Sequence, residues 1–126
     1  TQQGVFAGNG CHIADCNVRN NLLDGIRVSF SCTVIGNNTN GNGTGTAAAA
    51  AILVQGSRNR IEGNNLSFED GLNVTGTNNL IVRNTLGSAN ALIVAGNSYG
   101  PVVNVTGVND ISGTAGANHP WANFFY

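Results

Sequence analysis

The acidic side chains are the first residues in this sequence that could do chemistry, because two carboxylates can together cleave a glycosidic bond. The chain has six acids, at Asp15, Asp24, Glu62, Glu69, Asp70 and Asp110. Asp24 and Asp70 precede apolar segments of similar pattern, which makes them the best candidates for a pair. An Asp at such a position is more often a turn residue that bonds to nearby backbone amides.

Three cysteines and a histidine are the next candidates for chemistry. For Cys11 and Cys32 two alternatives stay open: a disulfide between them, or buried thiols that, with Cys16, pack as small apolar groups. The spacing of the cysteines and His12 matches no common zinc site. We expect no metal, no cofactor and no catalytic residue.

Five Asn-X-Ser/Thr motifs begin at Asn37, Asn42, Asn65, Asn73 and Asn104. We expect the side chains of Asn42, Asn65 and Asn73 to point outward and that of Asn37 to point inward. Asn42, Asn65, Asn73 and Asn104 are therefore the candidate N-glycosylation sites.

A repeat of about 20 residues positions these side chains, and a constant period of this length is typical of solenoids. Residues 51–54, 71–74 and 91–94 begin 20 residues apart, and residues 4–7 and 25–28 align with them. Apolar residues alternate within each segment with the period of a β-strand. The pattern predicts an all-β fold, a single-stranded parallel β-helix of four to five short turns over residues 1–103.

Equivalent positions in successive turns should stack into ladders. The predicted apolar ladders are Val5–Ile26–Ile52–Leu72–Leu92, Ala7–Val28–Val54–Val74–Val94, Ile13–Val34–Ile61–Ile81 and Val18–Thr39–Leu66–Leu86, and a polar ladder joins Cys16, Asn37, Asn64 and Asn84. In this register Glu62 faces outward without an acidic neighbour. Asp24 and Asp70 lie about 9–10 Å apart, at the far end of the range for a glycosidase pair.

The segment 104–126 breaks the repeat and is rich in aromatic residues. Four of the eight aromatic residues (five Phe, two Tyr and one Trp) lie in it, at Trp121, Phe124, Phe125 and Tyr126. Two alternatives stay open: the tail caps its own chain on an outward surface of Leu80, Val82 and Ile93, or it docks on a neighbouring molecule. The tail aromatics, together with Val5 and Phe6 of the first turn, are the candidate assembly or capping residues.

Four repeat segments carry a resemblance to a known family. Gly-Ile-Arg-Val (25–28), Cys-Thr-Val-Ile-Gly-Asn-Asn (32–38), Asn-Arg-Ile-Glu-Gly-Asn-Asn (59–65) and Asn-Leu-Ile-Val-Arg-Asn (79–84) resemble right-handed parallel β-helix repeats of the pectin-lyase-like superfamily. The similarity covers about residues 4–103. The resemblance implies the fold but not a function, since the superfamily contains lyases, hydrolases, epimerases, phage tailspikes and proteins without known activity.

The amino-acid composition limits the classes of partner that the chain is expected to bind. Charged residues make up 9% of the chain, the net charge is −1, and five Arg without Lys form no basic patch, so we expect neither nucleic-acid binding nor membrane insertion. Because the chain lacks Met, we expect a mature form or a fragment. We predict an extracellular structural module that associates with itself head to tail into a fibre or larger assembly. The alternative is a carbohydrate-binding or polysaccharide-cleaving fragment of a longer β-helix protein.

Overall fold

Short β-strands dominate the chain. The computed structural model describes residues 2–45, 49–67, 71–87 and 91–126, which form sixteen strands and one 3-10 helix, Ile111–Gly113. The strands are β1 (Val5–Asn9), β2 (His12–Ala14), β3 (Asn17–Arg19), β4 (Ile26–Phe30), β5 (Thr33–Ile35), β6 (Asn38–Asn40), β7 (Ile52–Val54), β8 (Arg60–Glu62), β9 (Asn65–Ser67), β10 (Leu72–Val74), β11 (Leu80–Val82), β12 (Thr85–Gly87), β13 (Ala91–Ile93), β14 (Ser98–Tyr99), β15 (Val102–Asn104) and β16 (Asn123–Phe125).

The strands stack into three parallel sheets. Sheet A has the order β1-β4-β7-β10-β13, sheet B the order β2-β5-β8-β11-β14, and sheet C the order β3-β6-β9-β12-β16-β15. Each revolution of the chain adds one strand to each sheet, so the fold is a parallel β-solenoid of about five turns. The predicted fold class is confirmed.

A left-handed residue recurs at the corner between sheets B and C. Asp15, Gly36, Gly63 and Arg83 have φ angles between 54° and 65° at this corner in the first four turns. This conformation turns the chain from sheet B into sheet C within two residues, and Gly adopts it without the steric cost that a side chain brings. The strands are short because these corners recur so often.

The core lies between the three sheets and consists of the predicted apolar ladders from the first to the fourth turn. Side chains of the second, third and fourth turns are almost fully buried, among them Ile26, Ile52 and Leu72 of sheet A, facing Ile61 and Ile81 of sheet B. Each turn therefore buries its inner face only because neighbouring turns stack on it.

The register of the last turn differs from the prediction. Ala91, not Leu92, pairs with Leu72, and Ile93, not Val94, pairs with Val74. The step from Leu72 to Ala91 is 19 residues, one fewer than from Ile52 to Leu72. A shift of one residue turns every side chain of a strand to the other face, so Leu92 is 59% exposed while Ile93 packs against the core.

The C-terminal tail folds back into its own sheet C. Strand β16 is parallel to both of its neighbours: Thr85 of β12 pairs with Phe124, and Val102 of β15 pairs with Asn123. The tail therefore adopts the capping alternative in this structure, and its last strand is an internal strand of the solenoid. The domain boundary after residue 103 stays a prediction.

Candidate functional site: the outer sheet faces and the two ends

The outward acid of sheet B is fully engaged by its neighbours. Glu62 is 7% exposed, and its Oε2 accepts a hydrogen bond of 2.6 Å from Arg60 Nε. Its Oε1 lies 3.2 Å from Arg83 Nη1. Both carboxylate oxygens are thus held by guanidinium groups, and Glu62 acts as a bridge between two turns rather than as an exposed base.

The other candidate acids form no visible pair. Asp24 is buried at a corner, where its Oδ1 accepts a 2.9 Å hydrogen bond from the Ala50 backbone N–H and its Oδ2 accepts a 3.4 Å hydrogen bond from Gln3 Nε2. This is the backbone-bonding role expected of a turn residue. Glu69 and Asp70 lie outside the described residues, so the proposed distance between Asp24 and Asp70 stays a prediction.

The three cysteines are free thiols in this structure. Cys32 Sγ is 3.2 Å from the Gly8 carbonyl oxygen, and Cys16 Sγ is 3.2 Å from the Ala14 carbonyl oxygen. Cys11 and Cys32 immediately precede the paired residues His12 and Thr33, so they are neighbours in adjacent turns, as the repeat predicted. Cys32 is buried, whereas Cys11 and Cys16 are partly exposed, and the choice between a Cys11–Cys32 disulfide and free thiols stays a prediction.

Buried asparagine ladders join the turns at two corners. At the corner between sheets B and C, the members of the first ladder are Cys16, Asn37, Asn64, Asn84 and Asn123. The Cys16 backbone N–H donates a 3.1 Å hydrogen bond to Asn37 Oδ1, and each later Oδ1 accepts hydrogen bonds of 3.0 Å from the backbone and side-chain N–H groups of the preceding Asn. At the corner between sheets A and B, a second ladder joins Cys32, Asn59, Asn79 and Asn97. The first ladder was predicted without Asn123. The second was missed, although Asn59 and Asn79 share one position of the repeat.

The four candidate glycosylation sites differ in how exposed their side chains are in the structure. Asn42 is 4% exposed, and its amide bonds to Asn21 and to the Val18 carbonyl oxygen, so the expectation that it points outward is wrong. Asn42 lies at the corner that follows sheet C, where an inward side-chain amide forms hydrogen bonds with buried backbone groups. Asn65 and Asn104 are exposed, and Asn73 is partly exposed on the outer face of sheet A. Modification of these three stays a prediction.

The tail covers the outer face of sheet B. The Arg83 guanidinium carbon lies 4.7 Å from the centre of a Trp121 ring, and Arg83 Nε donates a 3.0 Å hydrogen bond to the Pro120 carbonyl oxygen. Val82 faces outward but is only 2% exposed because the tail shields it. A mostly apolar cavity of about 200 Å³ remains there, walled in part by Tyr99 and Trp121.

The outer face of sheet C carries two rows of polar side chains. The first row follows the paired positions Asn17, Asn38, Asn65 and Thr85, and the second follows Arg19, Asn40 and Ser67. Between the rows lies a cleft of about 550 Å³. Tyr126, the last residue, donates a 3.4 Å hydrogen bond from its hydroxyl to Asn65 Oδ1 in the first row.

The two ends of the solenoid have different shapes. Among the described residues, strands β1, β2 and β3 of the first turn each have a strand neighbour on one side only. At the other end sheet C extends one strand beyond sheets A and B, because β16 is inserted before β15. The first turn is thus level across three sheets, whereas the last turn is stepped.

The described part of the chain contains no cluster of three or more His, Cys, Asp or Glu side chains able to hold a metal ion. No helix within the same residues has the length and apolarity required to span a membrane.

Comparison with known proteins returns no relative. No protein-family model matches the chain, and neither a curated protein nor a solved structure is detectably similar to it. The function therefore has to be inferred from the geometry of the chain itself.

Proposed function

We propose that this chain is a structural β-solenoid module, belonging to the pectin-lyase-like superfamily, that associates with itself through its ends outside the cell. The observation that carries the proposal is the level first turn, where three strand edges lack a neighbour among the described residues. An unpaired strand edge presents a row of N–H and C=O groups that another chain can pair with. Secretion, and glycosylation at Asn65, Asn73 or Asn104, belong to the same proposal.

The first turn also exposes apolar area beside its edges. Phe6 is 65% exposed on the outer face of β1, with the Arg27 guanidinium 5.5 Å from its ring centre, and Val5 is only partly buried. Burial of such side chains against a second molecule contributes about 25 cal/mol for each Å² of apolar surface removed from water. Hydrogen bonds at the edges and apolar contacts beside them support association together.

The partner surface is another end of the same molecule. In a head-to-tail fibre the stepped last turn would stack on the level first turn, and sheet C would make contact before sheets A and B. In a closed pair, two level first turns would meet and all three edges could pair at once. The tail strand is committed to its own sheet C, so neither arrangement needs a tail exchanged between molecules.

Sedimentation velocity of the full chain over a hundredfold range of concentration tests the proposal. Val5 N–H donates to the Gly25 carbonyl oxygen, and alternate amides of a strand point to opposite sides, so the Phe6 N–H faces the open edge. Phe6→Pro removes this donor at an edge position, where proline is tolerated. Phe6→Ala is the matched control, because it also removes the ring but keeps the donor.

We expect the native chain to associate as concentration rises, with a closed pair giving one larger species and a fibre giving a growing series. Phe6→Pro should weaken association more strongly than Phe6→Ala does. A native chain that stays monomeric throughout, or a Phe6→Pro variant that associates like the native chain, would contradict the proposal. Circular dichroism should give the same β signal for all three proteins.

Cleavage of polysaccharides is not the function that these contacts favour. Glu62 is held by Arg60 and Arg83, and Asp24 is held by backbone and side-chain donors at a buried corner. A glycosidase needs one carboxyl that donates a proton and a second that is free to act as base or nucleophile. Carbohydrate binding, the other part of that alternative, rests on a separate observation on the outer face of sheet C.

A further inference from the structure

We propose that the outer face of sheet C binds a neutral glycan in the cleft between its two polar rows. The proposal is independent of end-to-end association, because the cleft lies on the side of the solenoid and uses neither end. Its volume of about 550 Å³ falls in the range of small-molecule and oligosaccharide sites.

The first row leaves hydrogen-bonding capacity for a ligand. Asn38 Nδ2 donates to Asn17 Oδ1 at 3.2 Å, and Asn65 Nδ2 donates to Asn38 Oδ1 at 3.1 Å. A side-chain amide has two N–H groups and two acceptor lone pairs. Asn38 therefore keeps one donor and one acceptor, both held in a fixed orientation by its neighbours. Paired donors and acceptors of this kind match the hydroxyl groups of a sugar, which both donate and accept.

The second row is available without breaking contacts inside the protein. Among the described residues, the side chains of Arg19, Asn40 and Ser67 make no hydrogen bond or ion pair with the chain. The two rows face each other across the cleft, and neighbouring strands are about 4.8 Å apart. This step is close to the rise of one hexose unit in an extended glycan, so successive sugar residues could meet equivalent amides.

Tyr126 provides an aromatic surface beside the cleft. Gly87 continues the second row, and the position that a Cβ atom would take there is 3.2 Å from the Tyr126 ring, so the ring lies directly over this glycine. Tyr126 remains 52% exposed, with its hydroxyl on Asn65. An exposed ring with an anchored hydroxyl offers an apolar plane and a polar tip, which suits the apolar face of a sugar ring.

The charge of the cleft selects the class of glycan. Arg19 is the one ionisable side chain among the residues that line it, and the others are amides, a hydroxyl and Val18. An acidic polysaccharide would place a carboxylate on each repeat, yet the cleft has a cation at one strand only. Neutral sugars satisfy the amides along the whole cleft.

Titration of the full chain with neutral hexasaccharides tests the proposal. The probes are β-1,4-linked hexamers of glucose, mannose and xylose, with a galacturonic acid hexamer as the acidic arm, followed by calorimetry and by NMR of the Asn side-chain amides. The protein is made in a host that does not glycosylate, because a glycan attached to Asn65 and a bound glycan would compete for the cleft, so binding is proposed for the chain that is unmodified at Asn65. Measurements are made at a concentration where the chain sediments as one species, which separates this test from association.

We expect at least one neutral hexamer to bind and to shift the side-chain amide signals of Asn38 and Asn65. Asn40→Ala and Tyr126→Ala should each weaken binding by about threefold to tenfold, the loss typical of one hydrogen bond or ring contact. Asn40→Ala breaks no hydrogen bond or ion pair within the described part of the chain, so it remains informative if Tyr126→Ala loosens the tail. The matched control is Asn9→Ala, an exposed amide on strand β1 of sheet A.

Three results would overturn the proposal. The first is no binding of any neutral hexamer, and the second is binding of the acidic hexamer alone. The third is an equal loss of affinity in Asn9→Ala and Asn40→Ala, which would place the contact away from the cleft.

Discussion

The fourth turn of the solenoid and the C-terminal tail each supply an Asn to the same buried ladder, but the two residues lie at very different distances along the chain from the strand of sheet B in their turn. In the fourth turn, Asn84 follows strand β11 directly and stacks on Asn64 of the turn before. In the tail, Asn123 is separated from β14 by more than twenty residues, yet it stacks on Asn84 with the same bonds. Spatial order therefore follows the ladder and not the order of the sequence.

The reason lies in what each strand could offer to Asn84. The backbone N–H of Asn84 needs an acceptor on the side of the last turn, because the residue is fully buried. Its Nδ2 donates to the same Asn123 oxygen in addition to the Ile61 and Val82 carbonyl oxygens. In β15 the position equivalent to Asn123 is Val102, which has no side-chain acceptor. Strand β16 supplies Asn123 Oδ1 instead and displaces β15 by one level. The comparison indicates that the buried ladder selects which strand lies beside β12.

Removal of the tail strand should have the largest effect on stability. Deletion of residues 119–126 removes Asn123 and leaves the buried backbone N–H of Asn84 without its acceptor, at a cost of about 1–3 kcal/mol, while Asn84 Nδ2 keeps its hydrogen bonds to the Ile61 and Val82 carbonyl oxygens. It also removes both pairings of β16 and the ring of Trp121 over Arg83. We expect the free energy of unfolding to fall by about 3 kcal/mol or more in urea denaturation, with faster hydrogen exchange in β11 and β12.

A single substitution separates the ladder from the rest of the tail. Asn123→Ala leaves the same backbone N–H without its acceptor but keeps the aromatic residues, so it should account for a part of the loss. If the truncated chain were as stable as the full chain and lost only its association, the tail would act as a docking segment and not as an internal strand.

The register shift in the last turn predicts that two leucines contribute very differently to the free energy of unfolding. Leu72 is 1% exposed in the core, whereas Leu92 is 59% exposed on the outer face of sheet A. Leu72→Ala should lower the free energy of unfolding by about 2–5 kcal/mol, as for other buried leucines. Leu92→Ala should change it by less than about 0.5 kcal/mol. Similar losses for both variants in reversible denaturation would contradict this register and support the one with an unbroken 20-residue period, in which Leu92 faces the core.

The sequence is sufficient to predict the fold because the apolar positions of the third and fourth turns recur after 20 residues, and those of the second turn align with them across a longer connection. It also identifies the ladder from Cys16 to Asn84, since these residues share one position of the repeat. The same reasoning fails in the last turn, where the chain shortens and a constant period turns Leu92 inward. It fails for Asn42 as well, because a corner amide and an exposed loop amide look alike in sequence.

The sequence contains a signal for the tail strand that the repeat does not show. Asn84-Thr85-Leu86 and Asn123-Phe124-Phe125 share an Asn followed, two residues later, by a large apolar residue, and the structure pairs Leu86 with Phe125. The polar rows of sheet C were not predicted as a site, because an outward Asn in an Asn-rich chain is unremarkable until the strands are stacked. Stacking converts single exposed amides into a continuous surface.

The smallest expected effect is in the tail between β15 and β16, where local bonds replace the ladder. The Ser112 backbone N–H donates a 2.9 Å hydrogen bond to Asp110 Oδ1 at the start of the 3-10 helix, and this bond lowers the pKa of Asp110 below its ordinary value of 3.8. A lowered pKa means that the folded state favours the carboxylate. The stabilisation is therefore present above the ordinary pKa and is lost as the pH falls through the lowered value.

We expect carbon NMR of the carboxyl group to show an inflection below 3.8. Asp110→Ala should be slightly less stable than the native chain at pH about 7, and the difference should shrink once the carboxyl is protonated. The exposed position of Asp110 keeps this difference small compared with the loss of Asn123. An inflection at or above the ordinary value would mean that the bond to Ser112 does not persist in solution, and that the segment between β15 and β16 lacks the local order which the ladder gives to the turns.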